Sequence, residues 1–165
     1  MEDRFEDDEV KLLSAFSMGT PGKRTFFMAV GEKEKWERIW MEKYLLETLA
    51  EAVEKFLATL SREHVRLERG LASSTVEVPV GFPTAELDVD QMTLGYDRDQ
   101  VTLNLIVHPS GPRWEDQKEL TYRVSSSQLR QLGTQARKIC AAGRPICAKC
   151  GNPIDPSGHI CPPNN

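Results

Sequence analysis

Twice along this 165-residue chain a set of short apolar runs leads into an amphipathic helical stretch, and that repeated order limits the folds open to it. In the first copy the runs are Lys11–Met18, Thr25–Val30 and Trp36–Met41. The turn Gly19-Thr-Pro-Gly22 and the polar loop Gly31–Lys35 separate them. Leu45, Leu46, Leu49, Val53, Phe56, Leu57 and Leu60 then recur at three- and four-residue steps, which places them on one face of a helix. In the second copy Gln91–Tyr96, Val101–Val107 and Leu120–Val124 read as strands. Ser125-Ser-Ser-Gln128 matches a capping box, and a second helix follows through Leu129, Leu132, Ala136 and Ile139 toward Gly143.

Aligning Met41 with Val124 superimposes the two helical faces, Leu46 on Leu129, Leu49 on Leu132, Val53 on Ala136 and Phe56 on Ile139. The expectation is therefore an α+β fold with a β-β-β-α duplication. An antiparallel sheet would carry both helices on one surface. Within Trp36–Met41, Trp36, Arg38 and Trp40 fall on one side, and Glu37, Ile39 and Met41 on the other. The stretch Ser61–Asp90 reads as loops with one edge strand near Thr75–Val78. Glu86, Asp88 and Asp90 alternate there as on an exposed strand or loop. Residues 1–10 form an acidic flexible arm, 11–142 the α+β domain, and 143–165 a separate tail.

Composition narrows the function classes. No apolar run approaches the roughly 20 residues of a membrane span. The acidic start Met1-Glu-Asp-Arg-Phe-Glu-Asp-Asp-Glu is unlike a secretory signal, so the expected location is cytoplasmic. A net charge of −4 argues against a broad non-specific nucleic-acid footprint. The segment from Gly111 onward is locally basic, with eight Lys and Arg against four Asp and Glu. A solvated surface is the simpler account of it.

All four cysteines lie between positions 140 and 161, too crowded to staple a fold with disulfides. Cys147-Ala-Lys-Cys150-Gly151 brings two thiolates toward one ion, and the glycine lets the backbone turn so that its amides face the sulfurs. After an eight-residue loop the chain returns with His159-Ile-Cys161. Three sulfurs and one imidazole suit a tetrahedral, structural Zn2+ with no open position. A redox pair, a disulfide and an iron cage compete with this reading. The prolines and glycine around the Cys-x-x-Cys pair disfavour a helix-opening redox motif. Cys140 competes with His159 for the fourth place, although its position on the helical core stripe fits a buried thiol better.

Other chemistry is sparse. His64 and His108 have no base or acid partner at recognisable spacing. Gly19-Thr-Pro-Gly-Lys-Arg24 lies between strands, where no helix N-terminus would hold a phosphate.

The blocks Gly19-Thr-Pro-Gly-Lys-Arg-Thr-Phe-Phe27, Met92-Thr-Leu-Gly-Tyr-Asp97 and Gly143-Arg-Pro-Ile-Cys through His159-Ile-Cys-Pro162 resemble a bacterial family of conserved uncharacterised proteins, a domain of unknown function. The resemblance spans roughly Lys11 to Asn165. It implies a zinc-ribbon-like tail with metal ligands at Cys147, Cys150, His159 and Cys161, no matching cysteine at Cys140, and no established activity.

Three functions follow in order of support. The first is a non-catalytic protein-binding or adaptor module with a structural zinc site. The second is a single-stranded nucleic-acid binder that stacks bases on Phe26, Phe27, Trp36, Trp40, Tyr96 and Tyr122. The third is a small-molecule enzyme using His64 or His108, and the lack of a catalytic motif leans against it.

Overall fold

The computed structural model describes residues 9–20, 22–63, 76–111, 119–142, 147–150, 154, 160 and 161. Its elements run β1 (Leu12–Met18), β2 (Thr25–Gly31), β3 (Trp36–Met41), α1 (Lys43–Arg62), β4 (Ala85–Asp97), β5 (Thr102–Ser110), β6 (Leu120–Val124) and α2 (Ser126–Ala142). The β-β-β-α order thus occurs twice.

The six strands form one sheet in sequence order. Each three-strand unit is an antiparallel meander, but β3 and β4 pair in parallel, with Glu37 opposite Ala85 and Trp40 opposite Asp88. The sheet is therefore mostly rather than wholly antiparallel. A parallel pair requires a crossover longer than a hairpin, and α1 lies between β3 and β4 in the chain.

The same kind of junction recurs at the other seam. Glu9 forms a parallel bridge with Arg123 of β6, and the Val10 N–H donates to the Arg123 carbonyl at 2.9 Å. Val10 is buried, so the ordered body starts before residue 11; residues 1–8 of the expected arm lie outside the described residues. Helix α2 covers the rest of the β1 edge. The Ala15 N–H donates to Gln135 Oε1 at 2.9 Å, and Gln128 Nε2 donates to the Val10 carbonyl at 2.5 Å. Arg24 donates both to Ser17 Oγ at 2.7 Å and to the Ile139 carbonyl near the end of α2, at 2.9 Å. Side chains thus take up edge groups that would otherwise invite another strand.

Both helices pack on one face of the sheet. Leu46, Leu49, Leu129 and Leu132 meet Met28, Ile39, Leu87 and Leu105 in a single core. The helices also touch each other at equivalent positions. Gly133, aligned with Ala50, lies against Ala50 and Val53, and Arg137 pairs with Glu54, its own counterpart. The capping box is present, with Gln128 N–H donating to Ser125 Oγ at 3.1 Å and Ser125 N–H to Gln128 Oε1 at 2.9 Å.

The opposite face carries a smaller cluster of Leu12, Phe27, Ala29 and Trp36, flanked by Phe16 and Trp40. Arg38 lies over the rings of Phe27, Trp36 and Trp40 at 4.9, 5.1 and 5.2 Å, and pairs with Glu86 at 2.9 Å. The division of β3 into two faces follows its alternation.

Elsewhere the structure departs from the sequence expectation. Strand β4 begins at Ala85 because its early residues find a partner in β3. No strand forms over 76–80, where Val76, Val78 and Val80 alternate but stand exposed; Thr75 lies outside the described residues. Strand β5 runs past Val107, where the sequence suggests its end, and includes Pro109. That proline faces Val89 where the ladder with β4 is irregular, a place that tolerates a missing N–H. In the first turn Gly19 has φ +103°, and an added Cβ would stand 2.4 Å from the Lys23 carbonyl oxygen. Only glycine fits there.

Candidate metal centre

Helix α2 ends at Ala142, and a turn over residues 148–150 follows Cys147. That turn folds the short Cys-x-x-Cys spacing back on itself. The sulfurs of Cys147, Cys150 and Cys161 all lie within 4.8 Å of one another. Cys147 Sγ is 3.5 Å from Cys161 Sγ, fourteen residues along the chain. Thiolates bound tetrahedrally at about 2.3 Å from zinc stand about 3.8 Å apart, so the sulfurs are spaced as ligands of one ion. Cys147 is buried, and Cys150 and Cys161 are half-buried.

The local electrostatics favour an anionic sulfur at Cys147 and oppose one at Cys161. Amide N–H groups of Cys150 and then Lys149, together with the Cys161 side chain, hydrogen-bond to Cys147 and hold its thiol down at about 6. Gly151, whose turn is expected to aim amides at the sulfurs, lies outside the described residues. Cys161 is pushed up to about 11, first by its hydrogen bond to Cys147 and then by burial. The two shifts describe one proton shared between Cys147 and Cys161, and either sulfur can donate it. A metal cation bound there would take that proton's place and draw on the sulfurs as thiolates.

The structure brings three of the four expected ligand residues together; His159 lies outside the described residues. Cys140 is not part of the group. It sits on α2 in the main core and is 4% exposed. None of the four cysteines is in a disulfide.

The remaining candidates behave differently. His108 Nδ1 lies 3.8 Å from Glu119 Oε2, a half-buried imidazole on β5 beside an exposed carboxylate; His64 lies outside the described residues. Of the aromatics expected to stack bases, Phe26, Phe27, Trp36 and Tyr122 are buried. Trp40 is half-buried and committed to Phe27 and Arg38. A groove of about 880 Å³ opens at the carboxyl end of the β3–β4 junction, and its charged lining residues are Glu42, Glu86, Asp88 and Asp90. That surface repels phosphate.

One buried polar pair escaped the sequence. The Tyr122 hydroxyl donates to Glu37 Oε2 at 2.8 Å, with both residues inside the main face of the sheet. The only signal was Glu37 in register with Ile39 and Met41. Its partner stands 85 residues away. No helix among the described residues is long and apolar enough to cross a membrane.

Residues 5–161 match the model of a family described as a protein of unknown function (DUF3090). No curated protein and no solved structure matches the chain.

Proposed function

The chain belongs to the DUF3090 family of unknown function, and we propose that it is a non-catalytic protein-binding module whose tail is held by a structural zinc ion. Convergence of Cys147, Cys150 and Cys161 within 4.8 Å carries this reading. His159 completes the ligand set, two positions before Cys161. Zinc fits because soft thiolates with one imidazole suit a tetrahedral ion, and because the tail has few large apolar groups from which to build a core. The ion supplies cross-linking of the two ends of the tail. The protein supplies the thiolates and the amides that stabilise them.

A protein is the favoured partner because apolar groups stand exposed where a fold would ordinarily bury them. Ile160, next to Cys161, is 93% exposed, and Phe82 is 94% exposed. Single-stranded nucleic acid is less well supported, since most of its stacking residues serve the packing and the β3–β4 groove is acidic.

Metal analysis of the full chain purified without added zinc tests the site. One zinc per chain is expected, lost in Cys147→Ser and kept in Cys140→Ser. Loss of metal in Cys140→Ser with retention in Cys147→Ser would overturn the ligand set. Saturable turnover of a metabolite would overturn the non-catalytic half of the proposal.

A further inference from the structure

Resting on that metal site, we propose that the tail is also an oxidation switch, in which hydrogen peroxide joins Cys147 to Cys161 and releases the ion. The two sulfurs are 3.5 Å apart, and a disulfide is about 2.05 Å long, so about 1.5 Å of approach is needed. The two sulfurs are already in contact, so the bond would form along a contact the fold has made. The bond would close the same fourteen-residue span that the ion closes. Oxidation therefore exchanges one clasp for another.

The chemistry balances with peroxide as the named oxidant. One thiolate attacks a peroxide oxygen, the O–O bond breaks, and the departing hydroxide takes a proton to become water. The resulting sulfenic acid is attacked by the second thiolate. An S–S bond forms, and hydroxide leaves and is protonated to a second water. Two thiolates, one peroxide and two protons give one disulfide and two waters. Two electrons pass from sulfur to oxygen. The ion then keeps only Cys150 and His159 of its ligands and is released to solvent. A dithiol reductant reverses the S–S bond and restores the site.

The four cysteines divide the outcome cleanly. Cys150 and Cys161 are half-buried, open to a small oxidant, whereas Cys140 is enclosed by the main core. The disulfide should leave Cys140 reduced until the body unfolds.

The test treats the zinc-bearing full chain with hydrogen peroxide while a chelating dye reads released metal and non-reducing peptide mapping reads the linkage. One metal released per Cys147–Cys161 disulfide is expected, with rebinding after dithiothreitol and added zinc. Cys140→Ser should respond as the natural chain does, and Cys150→Ser should still form the Cys147–Cys161 bond. Retention of metal under peroxide, or a map showing Cys147–Cys150 instead, would overturn the switch. If the purified chain carries no metal, the zinc reading fails first. Mapping the same oxidised chain then tests the sulfur pairing on its own, and absence of the Cys147–Cys161 bond overturns that as well.

Discussion

Leu129 and Cys147 are both buried and stand eighteen residues apart, yet different physics holds them in place. Leu129 is fully enclosed among side chains drawn from both helices and the sheet, so its burial is shared by partners spread along the chain. Cys147 is fixed by two nearby amides and two other sulfurs. The body gains its order from area removed from water, which is tolerant of detail and distributed. On the proposed zinc reading, the tail would gain its order from a few directed bonds to one ion, which are intolerant of any missing ligand. A chain that joins both can lose one without the other.

Removing the ion is the largest way to break that comparison. Small structural zinc sites gain on the order of 10 kcal/mol of apparent binding free energy. A strong chelator should therefore erase amide-exchange protection around residues 147–161 and leave the thermal melt of the sheet and helices where it was. A body that melts earlier on chelation would show that the tail braces it. The converse perturbation is Leu129→Ala, which should cost the body about 2–5 kcal/mol in a urea titration while metal content stays at its original value. Leu46→Ala, at the matching position of the first helix, should cost a similar amount, since both leucines are fully buried.

The two regions were also unequally legible. The helices could be read because Leu46, Leu49, Leu129 and Leu132 obey a period that burial enforces locally. The cysteine cluster could be read because Cys147 and Cys150 carry their geometry in a three-residue spacing. What escaped depends on partners far along the chain. Ala85–Asp90 looks like loop until Arg38 of β3 meets Glu86, 48 residues away. The edge strand expected near Thr75–Val78 does not form over 76–78, where no strand among the described residues lies alongside, and Val80 bonds instead to the loop residue Lys33. Val10 sits in an acidic run and is buried only because β6 returns beside it. The parallel β3–β4 junction is likewise a property of chain return, not of either strand's composition.

A middle-sized effect probes the one place where the body borrows directed bonding. Glu37 is 3% exposed and accepts from Tyr122. Tyr122→Phe keeps the ring and removes that donor, leaving part of a buried carboxylate's hydrogen-bonding capacity unmet. The expected loss is about 1–3 kcal/mol. Replacing Glu37 as well, with Glu37→Gln, should shrink the penalty of the Tyr122→Phe change, because a neutral amide is less costly to leave short of a donor. Equal penalties in both backgrounds would mean that Tyr122 acts through packing alone.

The smallest effect addresses the likeness of the two halves. Gly133 occupies in α2 the place that Ala50 holds in α1, and it is a glycine inside a helix, where alanine is ordinarily better by about 1 kcal/mol. A Cβ added there would meet Val53 Cγ1 at 3.5 Å, an ordinary contact, with the Ala50 carbonyl oxygen at 3.9 Å. Nothing must move for alanine to fit. Gly133→Ala should therefore raise the stability of the body by up to about 1 kcal/mol in urea and leave the metal site unchanged. Gly133→Val tests the same contact from the other side. Its branches extend beyond the Cβ toward Val53, so the helices must part and stability should fall. If alanine destabilised as valine does, the close approach of α1 and α2 would require glycine itself, and the two helices would differ at the contact where they otherwise match.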